Sequence, residues 1–161
     1  VLVEQNRKIL KGGGIPESIA DDYCNILDKI YRNPEMTSDE FDRISASMPP
    51  EMKQNLLSIR EMKDPWIKHF ISFDPSEAIK KITCPVLGLN GEKDVQVIAD
   101  SNIPRLKELL KENDKNMIKT YPGLNHLFQH SETGMPDEYG KIEETMSAEV
   151  LNDMTNWIKN L

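Results

Sequence analysis

The chain has 161 residues, 38% hydrophobic and 29% charged, a composition that supports a buried core and excludes wholesale disorder. Its formal net charge of −7 excludes a basic footprint, and with it nucleic acid or an anionic membrane surface as the main partner. Two cysteines, Cys24 and Cys84, are too few for a disulfide scaffold and fit a reducing, cytoplasmic setting, and no apolar run approaches the ~20 residues of a membrane span.

The opening VLVEQNRKIL carries neither an initiator Met nor a charged-then-apolar leader, so a fragment or processed form is expected. GGG at 12–14 closes this first helical stretch. PESIADDYCNILDKIYRN then places Ile19, Tyr23, Ile26, Leu27 and Ile30 three and four apart, the stripe of an amphipathic helix stopped before Pro34. TSDEFDRISASM opens with Thr37 or Ser38 followed by acids, a helix N-terminal signal. PPEMKQNLLSIREM, PWIKHFISF and PSEAIKKI read as three further short helices, each introduced by proline. Short, charged, often broken helices of this kind suit a lid or connecting layer, here residues 1–80.

Past residue 80 the pattern changes. CPVLGLN (84–90) is a short apolar run closed by Gly91 and predicts a buried strand. NIPRLKELLKEN follows as a helix with Ile103, Leu106, Leu109 and Leu110 on one face, then NMIKTYPG as a second strand ended by Pro122 and Gly123. AEVLNDMTNWIKNL, with Val150, Leu151, Met154, Trp157, Ile158 and Leu161, is a terminal amphipathic helix. Strand, helix, strand, helix over 81–161 predicts an α/β fold with parallel pairing through a right-handed crossover. Parallel strands ordinarily lie in larger sheets covered on both faces, so further strands are expected upstream.

Functional side chains of parallel α/β proteins collect just beyond the carboxyl ends of the strands. Asp94 follows the first strand in NGEKD, and His126 follows the second in YPGLNH. Adjacent parallel strands would set these loops side by side. A carboxylate on one imidazole nitrogen fixes the tautomer and supports the imidazolium that forms when the other nitrogen takes a proton. Asp94 and His126 are thus candidates for the orienting acid and the general base of a nucleophilic hydrolase. A single Asp in a turn is more often a cap, and a single His more often a surface residue; the paired placement is what singles these two out.

Taken together, ITCPVLGLNGEKDVQV, a helix, YPGLNHLFQHSETG and the closing WIKNL helix resemble the carboxyl end of an α/β-hydrolase, similar to its serine esterase and peptidase-like members. The resemblance is specific over about 82–130. It implies that the acid lies in a G-x-x-D turn after the penultimate strand, matched by Gly91 to Asp94, and the base in the loop after the last strand, matched by His126. Residues 1–80 then correspond by position and helicity to an inserted lid. The family's G-x-S-x-G nucleophile elbow is absent: no serine of the chain has that glycine frame. The resemblance therefore implies an incomplete α/β-hydrolase fold carrying two-thirds of a triad, inactive alone, with the nucleophile upstream of residue 1.

Other readings stay open at this stage. His126 and His130 stand four apart and could ligate zinc with Asp94, although no HExxH is present. Glu92 could serve as the acid in place of Asp94, but the G-x-x-D frame favours Asp94. Cys84 could act as a nucleophile, but at the start of a buried strand a packed small side chain is expected. HSETG (130–134) reads as a polar loop that could also shape a pocket rim, and His69, beside Trp66 and Phe70, as lid packing. The leading expectation is hydrolysis of an ester, thioester or amide by an intact parent, without metal or cofactor; the alternative is a non-enzymatic domain that binds a small ligand or partner. An unpaired strand edge and uncovered apolar faces predict a homodimer.

Overall fold

The computed structural model describes residues 1–161, which pack as two compact units, Leu2–Phe73 and Asp74–Leu161. No helix is long and apolar enough to cross a membrane.

The first unit is all helical: α1 (Leu2–Gly12), α2 (Glu17–Arg32), α3 (Ser38–Ile44), α4 (Pro50–Arg60) and α5 (Pro65–Ser72). Local chemistry sets their starts. The Thr37 hydroxyl accepts the Glu40 N–H at 3.2 Å, and the Asp64 carboxylate accepts the N–H groups of Trp66 and Ile67 at 2.8 and 3.2 Å. Proline occupies the first turn of α4 and α5, where its missing N–H would be unpaired in any case. The stripe read from α2 is the core of this unit: Tyr23, Cys24, Ile26, Leu27 and Ile30 are buried with Met36, Phe41, Met48 and Leu56. Ile19, read into the same stripe, is only half-buried. A cavity of about 400 Å³ opens between the ends of α2 and α4 and helix α5, lined by Ile30, Tyr31, Ile59, Arg60, Ile67 and Ile71 among others. His69 also lines this cavity but is exposed. Its ring lies 5.6 Å from that of Phe73, tilted by 38°, while Trp66 stacks on Phe70 at 5.5 Å, and all four rings are exposed. The apolar side of so short a helix cannot turn every ring to one core.

The second unit is an incomplete α/β fold: α6 (Ser76–Ile79), β1 (Leu87–Gly91), α7 (Ala99–Leu109), β2 (Met117–Tyr121), a 3₁₀ turn (Pro136–Lys141) and α8 (Ala148–Lys159). β1 and β2 pair in parallel, with Leu87 opposite Met117 and Gly91 opposite Tyr121, and form a two-stranded sheet. The first strand starts three residues later than the apolar run predicts, because Pro85 has no N–H for the ladder and Val86 bonds instead to the Asn116 side chain at 2.9 Å. Cys84 consequently lies outside the strand and is exposed, contrary to the packed position expected from sequence. Leu87, Gly88 and Leu89 are half-buried rather than buried, since β1 has a neighbour on one edge only.

Tyr121, Leu124 and Val150 form the buried centre of this unit, joined by Leu89, Phe128, Met146 and Met154. Lys119 ties β2 to α8 through Glu149 and Asp153, both at 2.7 Å, and the Tyr121 hydroxyl donates to Asp153 at 2.9 Å. α8 thus holds the far end of β2, and the loop that follows it, in one place.

Candidate active site

The register of the sheet builds the site. Gly91 and Tyr121 are the last paired residues, so Glu92 and Pro122 begin two loops at the same level. Backbone bonds then stitch the loops together: the Glu92 N–H donates to the Tyr121 carbonyl and the Lys93 N–H to the Leu124 carbonyl, both at 2.9 Å. Gly91 permits this approach. A Cβ there would stand 2.5 Å from the Asn125 carbonyl oxygen and closer still to that of Leu124.

Asp94 is 5% exposed and its carboxylate is held from two sides. Oδ1 accepts the N–H groups of Gln96 and Val97, both at 2.8 Å. Oδ2 accepts the Asn90 side-chain amide at 3.1 Å and lies 2.9 Å from His126 Nδ1. A carboxylate oxygen accepts in this contact, so Nδ1 carries a proton, and in the neutral ring the lone pair is then on Nε2. The His126 side chain is 37% exposed.

The loop that presents His126 is organised by its neighbour. Asn125 is fully buried, and its side-chain oxygen accepts the N–H groups of Leu127 and Gln129 at 2.9 and 3.0 Å while its amide donates to Gln129 Oε1 at 3.0 Å. The turn needs a left-handed residue at Phe128 (φ 58°), whose ring packs edge-on against Tyr121 at 6.2 Å. Tertiary packing therefore holds a conformation that the residue itself disfavours.

A third segment braces the acid turn from outside. Lys93 Nζ donates to the carbonyls of Ser131 and Glu132 at 2.8 and 2.9 Å, and the Gln96 amide donates to the Tyr139 hydroxyl at 3.0 Å. Burial would raise the Glu138 carboxyl, but the N–H groups of Thr133 and Gly134 that it accepts, with the Lys93 charge, hold its pKa below the ordinary carboxylate value. HSETG is thus a strut on the acid turn.

The structure brings Asp94 and His126 together and keeps the alternative residues apart. Glu92 turns away and accepts the Gly123 N–H at 2.9 Å. His130 pairs with a different carboxylate: its Nδ1 lies 2.9 Å from Glu144 Oε2, which also accepts the His130 backbone N–H at 2.7 Å. Those bonds hold the Glu144 pKa below its ordinary value. No group of three or more His, Cys, Asp or Glu side chains stands together to hold a metal, so the donor set His126, His130 and Asp94 is not assembled. Beside His126 an open groove of about 560 Å³ is lined by Leu127, Phe128, Ile142, Glu143, Glu144 and Met146. Asn90, Asn125 and the Lys93 strut were not among the residues singled out from sequence; a buried polar side chain closing an apolar strand is the only signal Asn90 offers there.

The family model of the dienelactone hydrolases matches residues 70–161, more than half of the chain and all of the site just described. No curated protein and no solved structure matches the chain. The parallel pair, the G-x-x-D turn over Gly91 and the histidine loop all fall inside the matched region. The chain belongs to the dienelactone hydrolase family, a family of hydrolases within the α/β-hydrolase superfamily.

Proposed function

We propose that Asp94 and His126 are the acid and base of a serine hydrolase triad that cleaves an ester, thioester or amide. The observation that carries this is the 2.9 Å contact between His126 Nδ1 and the buried Asp94 carboxylate, with the His126 side chain partly exposed. In the reaction, Nε2 takes the proton of a serine hydroxyl as its oxygen attacks the acyl carbon. The imidazolium, held by Asp94, then gives that proton to the leaving group as the acyl bond breaks. Water repeats the sequence on the acyl-enzyme and frees the acid. No G-x-S-x-G frame occurs in the 161 residues, so the nucleophile in this proposal comes from polypeptide outside them. The chain by itself is then inactive. The helices before residue 80 are the lid region in this proposal. The protein works as a homodimer in the cytoplasm, a setting supported by its two free thiols.

The test is to read the gene upstream of Val1 and label the native protein with a fluorophosphonate. A G-x-S-x-G serine that labels, and loses the label when His126 is replaced, supports the proposal. A native protein without that frame and without labelling overturns it. One observation favours a second reading, a non-enzymatic ligand-binding domain: the cavity of about 400 Å³ inside the helical unit. Ligand-induced stabilisation without turnover would select that reading.

A further inference from the structure

Asn90, next to last in β1, sets a buried amide at the end of the strand. It is 5% exposed, and a buried amide is costly unless it is hydrogen-bonded. Its Nδ2 donates to Asp94 Oδ2 at 3.1 Å and to the Val97 carbonyl at 3.0 Å, with a longer approach of 3.4 Å to the Gly91 carbonyl. The two oxygens of Asp94 are treated differently. Oδ1 accepts two backbone N–H groups, which restrain rotation about the Cβ–Cγ bond because any turn about it moves Oδ1. Oδ2 is the oxygen that meets His126, and Asn90 is the other side chain bonded to it. The Asn90 amide on Oδ2 narrows the remaining rotation of the carboxylate plane.

We infer that Asn90 is a positioning residue: by holding Asp94 Oδ2 it aims that oxygen at His126 Nδ1 and keeps the imidazole in its Nδ1–H tautomer. The inference rests on Asp94 and His126 being the acid and base. An imidazole in water prefers its proton on Nε2, which would leave no lone pair there to accept a proton. The bond from Asn90 to the Val97 carbonyl offers a competing account, in which the amide only staples residues 91–97. The two accounts separate in what happens to His126 when that loop stays intact.

The experiment is NMR of the 161-residue chain with ¹⁵N-labelled histidine, at a pH where the ring is neutral, on the wild type, Asn90→Ala, Asp94→Asn and the double variant. The wild type is expected to show a protected, downfield His126 Nδ1–H. Asn90→Ala is expected to lower the ratio of Nδ1–H to Nε2–H tautomer about tenfold, as loss of a charge-assisted bond would. The Gln96 and Val97 backbone amides should keep their shifts, and Asn90→Ala should have no further effect once Asp94 is Asn. An unchanged tautomer ratio overturns the inference. So does an equal change in both backgrounds, or loss of the Gln96 and Val97 signals together with the His126 signal. If Asn90→Ala does not fold, the Asn90 Nδ2 protons are read directly in Asp94→Asn: an upfield move of one proton supports the inference, and no move overturns it. Turnover enters none of these readings, so a native protein without hydrolase activity would defeat the proposed function and leave this geometry standing.

Discussion

A side chain on Gly91 would meet the Asn125 carbonyl oxygen at 2.5 Å, so the acid turn and the histidine loop share a surface with no room for a methyl group. Gly91→Ala must push the two loops apart or distort both. The expected cost is about 1–3 kcal/mol of stability, the usual range for overpacking, with loss of the protected His126 Nδ1–H signal. Urea unfolding and proton NMR check this. A variant within about 0.5 kcal/mol of wild type that keeps the signal would show that the loops yield without strain.

Catalysis gives the next expectation. The 161-residue chain should hydrolyse activated esters no faster than an inert protein, since a base without a nucleophile cannot form an acyl-enzyme. In a protein that carries the nucleophile, Asp94→Asn should lower turnover by about 10⁴-fold, by analogy with loss of the orienting acid elsewhere. His126→Ala should do at least as much. Glu92→Gln should leave the rate within a few-fold, because that carboxylate holds the Gly123 N–H and faces away from His126. Saturable turnover by the isolated chain that disappears with His126→Ala would reveal a nucleophile within it.

Alkaline pH should unfold the second unit through Tyr121. Its side chain is fully buried, and burial, then the hydrogen bond to Asp153, pushes its pKa from 10.0 up to about 12. The folded state therefore keeps the neutral phenol where the unfolded chain would ionise it. The stability this contributes is fully present below pH 10, declines between 10 and about 12, and is gone above that. Tyr23 in the helical unit, raised to about 12 chiefly by burial, adds a slope of the same sign. Tyr121→Phe should flatten the fall of the urea midpoint over this window without abolishing it. An unaltered slope would mean that Tyr121 ionises alike in both states.

Association is the remaining expectation. β1 has β2 on one edge and no strand on the other, and an unpaired edge with Leu87 and Leu89 beside it invites a second chain. Light scattering at micromolar concentration should give twice the chain mass of 18.5 kDa. Lysine at Leu87, a charge of the kind that blunts natural edges, should shift the population toward monomer. A wild type that stays monomeric rules the dimer out.

Much of the fold is legible in the sequence because its signals are local. Thr37 starts α3 through its own hydroxyl, Pro50 and Pro65 open helices where a missing N–H does no harm, and the spacing of Tyr23, Ile26, Leu27 and Ile30 can face only one side of α2. The places of Asp94 and His126 follow from the same grammar, since each stands in the loop that ends a strand. What the sequence leaves open are choices between groups of similar chemistry far apart along the chain. Only the register of β1 on β2 decides that Asp94, two residues beyond Glu92, meets His126 while Glu92 meets Gly123. Only the course of the later loop gives His130 to Glu144 and Lys93 to the Ser131 and Glu132 carbonyls. Cys84, expected inside a strand, is exposed because Pro85 delays pairing, and the Trp66, His69 and Phe70 rings are exposed while Ile67 and Ile71 take the inner side of α5. Capping and periodicity act over three or four residues, whereas hydrogen-bond partners 32 residues apart are chosen by packing, and that choice belongs to the tertiary structure.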